Sequence, residues 1–371
     1  MNDLNELAYL KLLSSTENIG PQKILALKSH FKTFENIYTS TLSEIIKVEG
    51  IHTSSAFNII KNKTNFESSK KILNNEMDQL KKQGARLITY WDDEYPAILR
   101  NIYYPPVLLY LKGSAKLNYG SKIAIVGTRT PTHYGRIQAE NFAADLVENN
   151  LIIVSGLARG IDSAAHNSAL KKGGQTFAVI GSGLDVIYPS ENKKLFDQIC
   201  ENGLVISEYE LGTKPDAQNF PKRNRIISGL SIATLVIETR INGGAIQTAN
   251  YANDQDREVF ALPGNVNSQF SDGCNYLIKK NIARLVTLVD DILDELNIKL
   301  DPKSVSKLEH ELDLNLFEAK ILSVLSEEPV YIDEIADKTE MATSDCLVNL
   351  LTLEFKGAIK QFPGKMFVKI Y

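Results

Sequence analysis

Lys122-Ile123-Ala124-Ile125-Val126-Gly127-Thr128-Arg129 is the stretch that decides the fold. Four apolar residues in succession, closed by a glycine and a polar turn, fit a strand covered on both faces, as in a parallel sheet. The pattern recurs along the chain. Leu151-Ile152-Ile153-Val154-Ser155-Gly156, Thr176-Phe177-Ala178-Val179-Ile180-Gly181 and Leu204-Val205-Ile206-Ser207-Glu208 repeat it, as do Ile232 to Ile237 and Glu258 to Pro263. Helical spacing lies between them, with Ile137, Phe142, Ala143, Leu146 and Val147 on one stripe and further helices around Ala164 to Leu170 and Asn192 to Ile199. Short buried strands alternating with helices predict an α/β fold, a doubly wound, mostly parallel sheet with helices on both faces.

The flanks differ. Residues 1–82 read as an all-helical domain. Its Ile19-Gly20-Pro21 turn between apolar helices has the form of a helix-hairpin-helix (SAM-like) motif, in which glycine permits the tight turn and the next helix offers its first amides to a phosphate. Val48-Glu49-Gly50-Ile51-His52-Thr53 is a weaker copy, with His52 where a second glycine would help. A small packing domain with tight turns is the other reading. Residues 83–120, at the start of a central domain spanning 83–297, form a connector. There Pro105-Pro106 forces an extended path into a strand from Val107 to Leu111, and the aromatics from Tyr90 to Tyr110 read as packing. A charged, proline-interrupted linker is expected at 298–313. In 314–371, helices at Leu314 to Leu325, from Ile332, and at Ser344 to Phe355 precede a hairpin of Ala358 to Phe362 and Met366 to Ile370, a winged-helix layout.

Composition sets bounds. With 371 residues, 43% of them hydrophobic, the chain has enough apolar material for two or three domains. The net charge of −4 means that any anion site must be local. Residues 298–371 are the most acidic part for their length, with nine Lys/Arg against thirteen Asp/Glu. Cys200, Cys274 and Cys346 are far apart and form no C-x-x-C pair, which disfavours zinc or disulfides and suits a reducing cytoplasm. No apolar run approaches the ~18 residues of a membrane span. The opening Met1-Asn2-Asp3-Leu4-Asn5-Glu6 is acidic, unlike a signal peptide. No Walker loop occurs, and Gly181-Ser182-Gly183 lacks a third glycine because Val186 stands there, so no nucleotide cofactor or metal is expected.

In a parallel α/β sheet ligands bind beyond the carboxyl ends of the strands. Several strands here end in glycine-rich or polar turns: Gly127-Thr128-Arg129, Ser155-Gly156-Leu157-Ala158-Arg159-Gly160, Gly181-Ser182-Gly183 and Glu238-Thr239-Arg240-Ile241-Asn242-Gly243-Gly244. Folding brings these to one edge, where amides at helix starts attract anions. Phe220-Pro221-Lys222-Arg223-Asn224-Arg225 adds three cations within four residues, flanked by apolar anchors, and guanidinium forks match phosphate oxygens. The expectation is a phosphate-backbone site. His166 has two readings, a general base or a packed residue one turn beyond a capping Asp162. No nucleophile lies at a telling spacing, which favours the second. Glu208 and Glu238 read either as a carboxylate pair or as partners for backbone amides and arginines.

These segments together resemble the DprA/Smf family of DNA-processing proteins. The resemblance is carried by Val126-Gly127-Thr128-Arg129 with Tyr134-Gly135, Ser155 to Asp162 with Ala165-His166, and Gly181 to Asp185 with Tyr188-Pro189. Phe220 to Ser231 and Val259-Phe260-Ala261-Leu262-Pro263-Gly264 complete it, over about residues 90–290 and in order. It implies an extended Rossmann-like domain that binds single-stranded DNA without sequence preference, protects incoming strands in natural transformation, helps load the RecA recombinase, works as a homodimer and is not an enzyme. Carried to matching positions, it implies DNA contacts by Thr128, Arg129, Lys222, Arg223, Asn224 and Arg225, with Gly156, Arg159 and Gly183 completing the pocket. Where the family usually has a Ser-Gly-Ser-Leu-Ile-Thr-like turn, this chain has Asn242-Gly243-Gly244-Ala245-Ile246-Gln247-Thr248.

Two other functions compete with this one. A phosphoribohydrolase-like enzyme would use a Pro-Gly-Gly-x-Gly-Thr-x-x-Glu motif, of which only Gly243-Gly244 is present. A nucleotide sensor would hold a small phosphorylated signal in the same pocket. In the tail, Ser344 to Phe355 carries Asp345 and Glu354 with no cation before Lys356, whereas a helix reading a major groove needs cationic or amide side chains. The winged helix therefore reads first as a protein-contact module, with duplex binding as the second reading.

Overall fold

The computed structural model describes residues 3–298, 315–325, 330–355, 358–362 and 364–369. The expected linker lies outside them except for Ile298. The chain divides into two compact units, Met1–Lys299 and Leu300–Tyr371.

Among the described residues of the first unit, nine strands form one sheet: β1 (Ala85–Thr89), β2 (Leu108–Lys112), β3 (Lys122–Gly127), β4 (Ile152–Ser155), β5 (Thr176–Ile180), β6 (Leu204–Ser207), β7 (Ala233–Ile237), β8 (Glu258–Ala261) and β9 (Arg284–Leu285). Their order is β1-β2-β6-β5-β4-β3-β7-β8-β9. From β6 to β9 all neighbours are parallel, and β1 and β2 add an antiparallel edge. The connector thus supplies two strands where the sequence showed one. Gly84, in the left-handed region at φ 65°, ends the preceding helix and releases Ala85 into β1.

The strands alternate faces as period two requires. Ala124 and Val126 join one core with Ile226, Ile227, Ala245 and Ala249. Ile123 and Ile125 join the other with Phe142, Leu146, Ile161 and Ala165. The helices that accompany these strands are α7 (Ala97–Arg100), α8 (His133–Glu148), α9 (Ile161–Lys171), α10 (Lys193–Asn202), α11 (Asn219–Gly229), α12 (Gly244–Asp254), α13 (Asp272–Lys279) and α14 (Val289–Glu295). The first core is covered by α11, α12 and α13, the second by α8, α9 and α14.

Ahead of the sheet come α1 (Leu4–Ser14), α2 (Pro21–Phe31), α3 (Phe34–Thr39), α4 (Leu42–Ile45), α5 (Thr53–Asn62) and α6 (Phe66–Lys82). Gly20 caps α2 and His52 caps α5, so both anticipated turns open helices. This bundle shares a core with Leu87, Val107 and Leu108. Buried Lys11 pairs with Glu76 of α6 and lies 3.1 Å from Glu210, which follows β6. Tyr90, Trp91 and Tyr95 pack as expected, but Tyr103 and Tyr104 are exposed.

The second unit has helices Leu316–Val324, Ile332–Thr339 and Thr343–Phe355 with a three-stranded antiparallel sheet. The strand Met366–Lys369 lies between Val330–Tyr331 and Ile359–Phe362. Ile321, Ile335, Cys346, Leu350, Leu353 and Phe367 form its core.

Candidate nucleic-acid interface

The strand order reverses at β3. Strands β4 to β6 run off to one side of it and β7 to β9 to the other, and such a switch point opens a crevice at the strand carboxyl ends. Here the Thr128 amide donates to the Glu238 carbonyl at 2.7 Å, tying the end of β3 to that of β7. Above this tie lies a cleft of about 800 Å³. Its walls include Thr128, Arg129 and Thr130 after β3, Thr239 and Arg240 after β7, and Gly243, Gly244, Gln247 and Thr248 at the start of α12.

The third wall is α11, and its helical phase sorts the basic cluster. Phe220, Arg223, Asn224 and Ile227 stand at i, i+3, i+4 and i+7 and line the cleft. Lys222 and Arg225 fall on the next stripe and do not. Arg225 Nη2 instead lies 2.6 Å from Glu208 Oε1, and Lys222 is exposed outside the lining.

Arg223 is only 5% exposed. Its Nη1 donates to the carbonyls of Gly156, at 2.6 Å, and of Val179. Burial lowers its pKa to about 10, although the nearby Asp162 favours the charged form. Asp162 is buried too and accepts the amides of Gly156 at 3.0 Å and Ala158 at 3.3 Å. Burial pushes its carboxyl up, while Arg223 and the two amides oppose the shift. Asp162 thus shapes the loop before α9 rather than capping that helix, whose cap is Gly160. Glycine is needed at two points of this loop. A Cβ at Gly156 would stand 2.5 Å from Arg223 Nη1, and Gly160, at φ 78°, has the Thr128 carbonyl 2.4 Å from where its Cβ would be.

Arg129 is exposed. Its guanidinium and that of Arg223 lie 5.3 and 5.9 Å from the Phe220 ring centre, within cation–π range. Tyr188 adds a second ring 5.7 Å from Phe220. Gly156 and Arg159 border the smaller recess beside these rings. Arg159 is bidentate to Glu191, with one bond at 2.9 Å. Gly183 borders neither space and packs against the backbone of Glu210 and Gly212. Of the nine sequence-derived residues, Thr128, Arg129, Arg223 and Asn224 line the cleft and Gly156 and Arg159 adjoin it, whereas Gly183, Lys222 and Arg225 stand outside.

Arg240 was missed, although it follows β7 at the same sheet edge. It is exposed, lines the cleft and lies 5.2 Å from the Phe270 ring centre. The other acid–base candidates are structural. His166 is fully buried, bonded through Nδ1 to Thr176 Oγ1 at 2.6 Å, and burial drives its pKa down to about 3. Glu238 is buried, accepts the Thr132 amide at 2.8 Å and does not pair with Glu208. Among the described residues, the charged groups lining the cleft are therefore three arginines and one buried aspartate.

A doubly wound, mostly parallel sheet with an arginine-lined crevice at its switch point defines a Rossmann-like α/β protein. The family profile described as DNA recombination-mediator protein A matches residues 86–297, and that of the DprA winged helix domain matches residues 310–365. The Smf protein of Synechocystis is 34% identical over 98% of both chains. Among solved structures, DNA processing protein A of Streptococcus pneumoniae is 38% identical, with a TM-score of 0.64 over 79% of this chain and 98% of that one. The Helicobacter pylori protein, described for its single-stranded DNA binding mode, is 33% identical, with a TM-score of 0.52 over 57% of this chain and 96% of that one. The chain belongs to the DprA/Smf family of DNA-processing proteins, and its C-terminal unit is the winged-helix domain of that family.

Proposed function

We propose that this chain binds single-stranded DNA in the β3/β7 cleft and acts as a non-catalytic recombination mediator, protecting incoming strands and helping to load a RecA-type recombinase in the cytoplasm as a homodimer. One observation carries the DNA-binding part of this reading: the cleft offers exposed guanidinium groups of Arg129 and Arg240, the amides opening α12, and the Phe220–Tyr188 rings. Cations and helix amides suit phosphates, and aromatic faces accept any base. The carboxylate in the lining, Asp162, is committed to two backbone amides, and His166 is buried away from solvent. General acid–base chemistry would need such a group within reach of a substrate.

The test is a titration of the whole chain with oligo-dT and with duplex of equal length across a salt series. Tight, salt-sensitive retention of oligo-dT that Arg129→Ala and Arg240→Ala each weaken supports the reading. A chain that ignores oligo-dT, or that binds AMP far more tightly than a 20-mer, overturns it. Stimulated strand exchange with purified RecA, abolished in the same variants, tests the loading step.

A further inference from the structure

The helix Thr343–Phe355 of the winged-helix unit presents an apolar outer face. Cys346, Leu350 and Leu353 point inward and are buried, at the i, i+4, i+7 spacing of a core stripe. Leu347, Val348 and Leu351 form a second stripe on the outside and are 38%, 66% and 56% exposed. This helix needs only one of the two stripes to fold. Three large aliphatic side chains side by side on a surface helix mark an interaction face more than a solvated one.

Its charges argue against DNA. Between Lys338 and Lys356 the sequence has no Lys or Arg, and it has Glu340, Asp345 and Glu354. Asp345 is exposed in the first turn of the helix. One Glu354 oxygen accepts the Gln361 amide at 3.1 Å, which holds that carboxylate at the far end. A helix entering a major groove needs donors toward base edges and cations toward phosphates. This one offers carbon in the middle and a carboxylate at each end.

We infer that this face is a docking site for a basic amphipathic helix of a partner protein. Apolar side chains of the partner, at i, i+3 or i+4 and i+7, pack along Leu347, Val348 and Leu351. Lysine or arginine flanking them meets Asp345 and Glu354, and that complementarity selects a basic helix over an acidic or neutral one. The inference is independent of the cleft, because it uses only residues of the second unit.

The experiment uses the full chain and a fluorescein-labelled 18-residue synthetic peptide with leucines at that spacing and lysines on either side, beside a control with glutamates in place of the lysines. Fluorescence anisotropy is expected to show binding of the lysine peptide and none of the glutamate peptide. Val348→Ser with Leu351→Ser should weaken binding at least tenfold, and Asp345→Asn with Glu354→Gln severalfold, with oligo-dT binding unchanged. If the serine double variant melts early, Val348→Ser alone, at the most exposed of the three positions, serves instead. Equal binding by wild type and the serine variants overturns the inference, as does equal binding of both peptides. Duplex DNA binding that the serine variants abolish makes the face a DNA reader and overturns it too, and concentration-dependent self-association that they abolish assigns the face to a second copy of the chain instead.

Discussion

Arg223 holds the Gly156 carbonyl at 2.6 Å from beneath the loop that joins β4 to α9. A charge that the sequence places in a basic cluster is spent inside the protein, where its bonds to the Gly156 and Val179 carbonyls hold the loop in shape and nearby Asp162 favours its charged form. Arg129 and Arg240 keep their guanidinium groups exposed in the cleft.

Arg223→Ala and Arg129→Ala should therefore fail in different ways. Removing Arg223 leaves the buried Gly156 and Val179 carbonyls without their charged donor, at a cost of about 1.5–3 kcal/mol. Removing exposed Arg129 should alter stability by less than about 0.5 kcal/mol. Urea denaturation of the two variants measures this, and equal midpoints would contradict the strut role of Arg223.

Affinity for oligo-dT should follow the cleft and not the whole basic cluster. Arg129→Ala and Arg240→Ala each remove a charge-assisted hydrogen bond worth about 1.5–3 kcal/mol. Each should also flatten the plot of log K against log salt by about 0.7, the increment for one neutralised phosphate of a single strand. Arg225→Ala, which breaks the pair with Glu208, should leave that slope unchanged while costing about 1 kcal/mol of stability, since the pair is partly solvated. A slope that falls equally in all three variants would place Arg225 on the strand.

Stability should fall in mild acid because of His166. Its pKa in the folded protein is about 3, against about 6.5 in the unfolded chain. A base held neutral by folding contributes fully above the unfolded pKa, and the unfolded state gains a proton as the pH drops below it. From pH 6.5 to pH 5 the contribution of this one group should shrink by about 2 kcal/mol. His166→Gln should reduce the pH slope of the urea midpoint in that window, and an unaltered slope would show that His166 is not its source.

A chain ending near Ile298 should keep the whole cleft, because Met1–Lys299 is compact by itself and contributes every residue of the lining. Its titration with oligo-dT is expected to overlay that of the full chain at matched salt. A marked drop in affinity would assign part of the strand binding to the winged-helix unit.

The parallel strands were legible because burial on both faces leaves a continuous apolar run, as in Ile123 to Val126, which no turn or exposed helix produces. The two-residue β9 has no such run, and β1 hides behind a helix end. Sequence placed Thr128 and Arg129 correctly at a strand terminus, since that follows from chain order alone. It did not separate Arg223 from Lys222 and Arg225, because the cluster was not read as helix, and only the phase of α11 turns one inward and the others away. The partners Glu208 and Gly156 lie far along the chain, and the sorting of charges into struts and ligand-facing groups is a tertiary fact.

The stitch between Thr128 and Glu238 ties the ends of β3 and β7 together beneath the cleft. Opening it would break a bond that joins both halves of the sheet. Under the proposed function, a nucleic-acid guest docks on a floor tied across both halves of the sheet and bears the ordering cost itself. Flexible, unstacked tracts such as oligo-dT should settle into it more readily than strands already stiffened by purine stacking, a bias set by the guest's own mechanics and requiring no reading of its letters.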